Sequence, residues 1–157
     1  QASPSSDRGM VTGTTPLGAP NDSFNPLAVA VTMKTGLVAR GYAGNREHLV
    51  GLLQEAITHK GFSFVDILQP CVTFNKINTY QWYRDRVYDL GQDPDYDPHN
   101  QALAWERSWE WGDRIPCGVF YKVDGPTLDD ATVALKNGPL VKQKLVSSEV
   151  ERLIAGF

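Results

Sequence analysis

With 157 residues, 41% of them apolar and 21% charged, the chain has the composition of an ordinary globular domain or part of a larger one. A net charge of -3 with no clustered Lys/Arg stripe excludes a nucleic-acid-binding surface, and no apolar run approaches the ~20 residues that cross a bilayer. Two cysteines, Cys71 and Cys117, are too few for a disulfide scaffold, so a reduced cytoplasmic setting is the expectation, with a single bridge between them left open.

Gln1-Ala2-Ser3-Pro4 has neither the basic nor the apolar region of a signal peptide, and with no initiator Met the sequence reads as part of a longer one. The first 24 residues are rich in Gly, Pro, Ser and Thr and predict irregular loop: either a disordered start or a loop lining a polar site. Asn25-Pro26 is a helix-start pair, followed at helical spacing by Leu27, Ala30, Val31 and Lys34, with Gly36 as the stop. Leu37–Arg40 reads as a short buried strand ending at Gly41. Asn45 then caps a second helix with Leu49, Leu52, Leu53, Ala56 and Ile57 on one face, His59 and Lys60 in its last turn and Gly61 after it. Phe62–Leu68 is the next strand, closed by Gln69-Pro70. Strand, helix and strand with short connections predict a βαβ unit with parallel strands, hence the α/β class, and ligands in such sheets gather beyond the carboxyl ends of the strands. Cys71 lies just past one such end.

Beyond Cys71 the pattern weakens. Tyr80, Tyr83, Val87 and Leu90 suggest a helix capped by Asn78 or Thr79, and Gly91–His99 an acidic loop. Asn100 caps a helix with Ala102, Trp105 and Trp109 on one face. Ile115–Val123 predicts a strand that Pro116 and Gly118 confine to an edge or bend. Lys136–Lys144 reads as linker, and Ser147 or Ser148 begins a last short helix with Val150, Leu153, Ile154 and Phe157 apolar. The three Trp residues between Trp105 and Trp111 fit either a core or a docking surface.

Stand-alone catalytic motifs are absent: there is no Gly-x-Ser-x-Gly, His-Glu-x-x-His, phosphate-binding P-loop or Cys-x-x-Cys. Asp93, Asp95 and Asp97 alternate as in a calcium loop, but the required Gly and distal Glu are missing, so they read as a solvated acidic loop. Cys71 has three readings: a buried apolar residue, a thiol nucleophile partnered by His48, His59 or His99, or one thiolate of a metal or iron–sulfur site that needs others to complete it.

The run Gly61-Phe62-Ser63-Phe64-Val65-Asp66-Ile67-Leu68-Gln69-Pro70-Cys71-Val72-Thr73-Phe74-Asn75 resembles a signature of 2-oxoacid:ferredoxin oxidoreductase β subunits. Gln1-Ala2-Ser3-Pro4, Thr14-Thr15-Pro16-x-Gly18, Asn25-Pro26-Leu27-Ala28, Val38-Ala39-Arg40-Gly41 and His59-Lys60-Gly61-Phe62 resemble further motifs in the family's order. So does Trp111-Gly112-x-x-Ile115-Pro116-x-Gly118-Val119-Phe120-Tyr121-Lys122. The resemblance covers roughly residues 1–122; residues 123–157 carry no signature of it and read as a C-terminal tail, a candidate for docking on another subunit.

It implies the C-terminal part of a thiamine-diphosphate-binding parallel-sheet fold with an irregular helical and aromatic tail. It also implies a β subunit working with an α subunit, with thiamine diphosphate, Mg2+ and a 4Fe-4S cluster as cofactors. The reaction would be the coenzyme A-dependent oxidative decarboxylation of 2-oxoglutarate or a related 2-oxoacid, with electrons passed to ferredoxin. By resemblance Cys71 is one of four cluster ligands, and Cys117 is packing. The other three ligands and the Gly-Asp-Gly-Asp magnesium motif belong to the family's N-terminal half and are not among these residues. The chain alone is therefore expected to be inactive, with that half as a partner. Two competing readings are a non-catalytic α/β interaction module with a buried cysteine, and a thiol hydrolase using Cys71.

Overall fold

Asn25 opens the first helix, α1 (Pro26–Thr32), as the Asn-Pro pair predicts: its side chain accepts from the Ala28 amide at 3.1 Å. The computed structural model describes residues 2–144 and 147–156, so Gln1 and Phe157 of the sequence reading lie outside the described residues. The helix ends at Met33, and the residue with a left-handed backbone is Lys34 (φ 52°), not Gly36. Gly36 serves a different need, close approach: a Cβ there would sit 2.3 Å from the Phe62 carbonyl oxygen, which accepts the Leu37 amide.

The strand β1 (Leu37–Tyr42) is buried at all six positions, and α2 (Arg46–Thr58) leads to β2 (Ser63–Leu68). The strands β1 and β2 pair in parallel from Leu37↔Ser63 to Tyr42↔Leu68, so the predicted βαβ unit is present. Asn45 caps α2 through the His48 amide. Leu52 and its neighbours Leu49, Leu53 and Ala56 supply the inner face, whereas Ile57 is 81% exposed, one turn too far round. The helix stops at Thr58; His59 is its extended C-cap, and Lys60 lies beyond it rather than in the last turn.

After Cys71 the structure departs further from the periodicity. Thr79 caps α3 (Tyr80–Arg84), which is only five residues long. Val87 belongs not to that helix but to a short strand, β3 (Val87–Asp89), and Leu90 to a 3₁₀ turn, Leu90–Gln92. Asn100 caps α4 (Gln101–Ser108) as expected, but the buried positions are Ala104 and Ser108, while Trp105 and Trp109 face outward. The strand β4 (Ile115–Lys122) is central rather than an edge, in the order β2-β1-β4-β3. It runs antiparallel to β1 and parallel to β3.

Pro116 is tolerated there for a geometric reason. The Ile115 amide donates to Arg86 on the β3 side, so the next position points toward β1, and β1 pairing begins only at Arg40↔Gly118. At Gly118 (φ 127°) a Cβ would press on Leu90.

Side chains alternate across this sheet. Val38 and Phe120 meet α1 and α4 through Leu27, Val31 and Ala104, whereas Leu37 and Ala39 meet α2 through Leu52. Each fully buried Val, Leu or Phe contributes roughly 1.5–3 kcal/mol, against about 1 kcal/mol for a cap, so the two faces of β1 dominate the stability. Contacts divide the chain into Gln1–Gly125 and Pro126–Phe157. The second unit contains α5 (Leu128–Ala131) with a Thr127/Asp130 capping box, a 3₁₀ turn at Val133–Leu135 just before the expected linker, another at Leu140–Lys142 inside it, and α6 (Ser147–Ile154).

Replacing Gly36 by Ala should destabilise the chain by about 1–3 kcal/mol, because strand, His59 ring and carbonyl all have to give. Gly51→Ala on α2, where nothing lies within 4 Å, should instead stabilise it by up to about 1 kcal/mol. Urea unfolding of both variants checks the pair, and equal midpoints would show the close approach to be unimportant.

Candidate functional site

Beyond the carboxyl ends of β1 and β2, on the α1/α4 side of the sheet, lies a cleft of about 500 Å³. Its floor is Arg40 and Asp66, its wall Leu68–Cys71, and its far side the early loop through Ser3, Ser6 and Asp7. Of the two readings of that loop, the lining of a polar cleft is the one observed. Asn25 joins it to the scaffold, capping α1 with its oxygen and donating to the Ser108 carbonyl at 2.9 Å with its nitrogen.

Arg40 is 4% exposed, an unusual place for a guanidinium. Parallel register sets it opposite Asp66, and Nε donates to the carboxylate at 2.8 Å. The guanidinium lies 5.4 Å from the Trp111 ring centre and 5.7 Å from that of Phe120, while Nη1 has no hydrogen-bond partner among the described residues. This ion pair escaped the sequence reading. Its signal was available: an Arg in one apolar strand and an Asp at the matching place in the next satisfy each other once the strands are parallel and in register.

Cys71 is exposed on the cleft wall, past Gln69 and the buried Pro70. It is therefore not a small buried apolar residue. The backbone amide of Phe74 is the largest cause of a Cys71 pKa below the ordinary thiol value; desolvation, next in size, opposes it, and the amides of Thr73 and Asn75 add to it. Cys117 is the opposite case. It is buried beside Tyr42, Leu68 and Ile115, and burial pushes its pKa up to about 12. Both thiols are free, which closes the question of a bridge.

No histidine lines the cleft. His48 faces Asp89, His59 faces Asp124, and His99 contacts the Lys122 carbonyl, which removes the thiol-hydrolase arrangement. Asp93 is tied to Arg107 and the Asp95 amide, and Asp97 to the His99 amide, as in a solvated loop. Among the described residues no group of three His, Cys, Asp or Glu is arranged to hold a metal ion. What the cleft offers such a group is one exposed thiol, Cys71, which suits a single corner of an iron–sulfur cluster and needs further thiolates to complete it. None of the described helices is long and apolar enough to cross a membrane.

Residues 71–137 match the C-terminal family model of the pyruvate ferredoxin oxidoreductase beta subunit. The chain is 45% identical over 131 residues to the 2-oxoacid:ferredoxin oxidoreductase subunit beta of Sulfolobus sp, covering 78% of this chain and 43% of the relative. It is 42% identical to subunit beta of the 2-oxoacid:ferredoxin oxidoreductase 1 of Aeropyrum pernix, over 77% of this chain and 41% of that one. A solved structure of the 2-oxoglutarate:ferredoxin oxidoreductase from Magnetococcus marinus, with 2-oxoglutarate, coenzyme A and succinyl-CoA bound, superimposes with a TM-score of 0.81 at 33% identity. That match covers 98% of this chain and 52% of the other. The chain belongs to the 2-oxoacid:ferredoxin oxidoreductase β-subunit family. It spans about two fifths of the length of these curated β subunits.

The two thiols of this β-subunit family member should differ sharply in reactivity. Iodoacetamide near pH 8 should label Cys71 and leave Cys117 untouched until denaturant is added, because only Cys71 is both accessible and shifted toward thiolate. Peptide mass spectrometry reads the outcome directly; equal labelling under native conditions would contradict the burial of Cys117.

Proposed function

We propose that this chain forms the Cys71 side of an active 2-oxoacid:ferredoxin oxidoreductase, a coenzyme A-dependent enzyme that oxidatively decarboxylates 2-oxoglutarate or a related 2-oxoacid and reduces ferredoxin. Cys71 supplies one of four thiolates to a 4Fe-4S cluster. The observation that carries the reading is the position of that thiol: exposed just past the carboxyl end of β2, on a cleft wall. Iron–sulfur clusters are held by thiolates and tuned by amide hydrogen bonds, and a ligand that must meet three others cannot be buried in a core.

The N-terminal half of the β subunit supplies the other three thiolates and the Mg2+-diphosphate ligands, and the active site is completed by the α subunit. When bound, thiamine diphosphate supplies the carbanion equivalent for decarboxylation and the cluster supplies one-electron transfer. The work of this chain is local. Arg40, fixed by Asp66 and flanked by Trp111, gives the cleft a stiff floor, and the 71–75 loop presents the thiolate. The assignment to 2-oxoglutarate is supported by the 2-oxoglutarate bound in the solved neighbour, together with the 2-oxoacid activity for which the curated relatives are named. Residues 123–157 are proposed as a subunit-docking tail, since Leu128, Val133, Val141 and Ile154 are largely exposed. A cytoplasmic location follows from the reducing conditions a thiolate-bound cluster and free Cys71 require. The interaction-module alternative needs a buried structural cysteine at position 71, and the exposed Cys71 speaks against it.

In the complete enzyme Cys71→Ala should leave the fold intact and abolish the cluster, seen as loss of iron and of its visible absorbance, with ferredoxin reduction lost in parallel. Cys117→Ala should keep the cluster and cost stability only. If iron survives the first change and disappears with the second, Cys71 is not the ligand.

A further inference from the structure

We infer that the outer edge of β2 is a docking edge for the N-terminal half of the β subunit, which adds a strand there parallel to β2. The inference rests on the family membership of the chain and not on the role given to Cys71.

The two edges of the sheet are built differently. At one side β3 (Val87–Asp89) is three residues long, and a short strand is an ordinary way for a sheet to finish. At the other side β2 (Ser63–Leu68) is as long as the fully buried β1 and lacks the devices that blunt an edge. It contains no Pro, Lys or bulge, and its one charge, Asp66, is taken up by Arg40. Its apolar side chains occupy both faces, Phe64 toward α1 and α4 and Val65 toward α2, as in an interior strand of a parallel sheet. Yet only Leu68 is buried, and Ile67 is 42% exposed. The sequence is that of an interior strand and the position is that of an edge.

Main-chain bonding defines what the edge offers. The carbonyls of Phe62 and Leu68 accept the Leu37 and Ala43 amides, so the even-numbered residues of β2 turn their main-chain groups toward β1. Alternation leaves Ser63, Val65 and Ile67 with theirs toward the open edge. An extended segment satisfies such a row, because a helix spends its own main-chain groups internally.

Length and entry point identify the segment. The matched family model is that of the C-terminal part, and this chain covers 43% of the Sulfolobus β subunit, so more than half of such a subunit lies outside it. The early loop is held by the Phe24 amide on the Pro4 carbonyl at 2.8 Å and faces Leu68, Gln69 and Pro70 across the cleft. Chain coming from the N-terminal half therefore arrives at the carboxyl end of β2. A strand that delivers it there has run in the direction of β2, which makes the added pairing parallel, as that of β1 and β2 already is.

The test is made on the complete enzyme. Hydrogen–deuterium exchange, with fragmentation that resolves single amides, should find Val65 and Ile67 exchanging as slowly as Phe64 and Asp66, which β1 protects in any case. Fast exchange at Val65 and Ile67 beside slow Phe64 and Asp66 means an open edge and overturns the inference. The occupant is named by the photo-crosslinker p-benzoylphenylalanine, placed singly at Phe62, 61% exposed at the start of the strand, and at Ile67 near its end. Mass spectrometry of the cross-linked peptides should find the N-terminal half of the β subunit, with the site reached from Ile67 following in sequence the site reached from Phe62. The reverse order means an antiparallel neighbour and overturns the inference. So do cross-links to the α subunit, to a second β subunit or to residues 126–157, and so does the absence of a cross-link from both positions. Iron content in Cys71→Ala bears on the proposed function and leaves this edge untouched.

Discussion

Everything in the first unit is arranged around a strand that has no exposed side. The strand β1 is paired on both edges and packed on both faces, so a charge placed within it has little access to water even at the cleft floor. Arg40 is that charge, and only a carboxylate opposite it makes the burial tolerable, since an uncompensated ion in such a site costs several kcal/mol. The parallel register with β2 supplies Asp66. A slip of one residue would remove the carboxylate and turn every apolar side chain of β2 to the wrong face. One ion pair therefore selects the register that brings Tyr42 and Leu68 level, and with them the point at which the chain leaves the sheet toward Cys71.

The legible parts of this fold are those whose signal is local. Caps at Asn25, Asn45, Thr79 and Asn100 are single-residue statements, and the βαβ unit is a periodicity change within some thirty residues. The strand β3 was illegible for the converse reason. Tyr80, Tyr83, Val87 and Leu90 repeat at helical spacing, yet Val87–Asp89 is extended because β4, almost thirty residues further on, offers it an edge. Tertiary pairing overrode the local pattern. In α4 the rule that large apolar residues point inward failed because the helix lies close to α1 and β4, where only Ala104 and Ser108 fit. Small residues carry little hydropathic weight, so the buried face of a closely packed helix is easily mistaken for its outer one.

The site divides along the same line. Cys71 is visible through its motif and its place after a strand, but neither feature distinguishes a presented thiol from a packed one. Arg40 and Asp66 read as ordinary charged residues because their meaning is a register, and a register belongs to two segments at once. Asn75 reads in the sequence only as the last residue of a signature. What it does, gathering two amides and the neighbouring Asn78 side chain, becomes apparent once the turn around it is formed.

The contrast between the two cysteines shows how the fold, rather than the residue type, assigns the chemistry. Both lie toward the cleft end of the sheet, and iron chemistry requires a deprotonated sulfur. Cys117 packs against Tyr42, Leu68 and Ile115, where low polarity keeps it a thiol far above neutral pH, even though Arg40 acts in the opposite direction. Cys71 escapes that core because Gln69-Pro70 carries the chain out of the sheet, and its thiol stands exposed at the cleft with its pKa lowered by the backbone amides of the turn. A second accessible thiolate beside the first would compete for iron and for oxidants. Burying one and presenting the other leaves a single reactive thiol at the cleft.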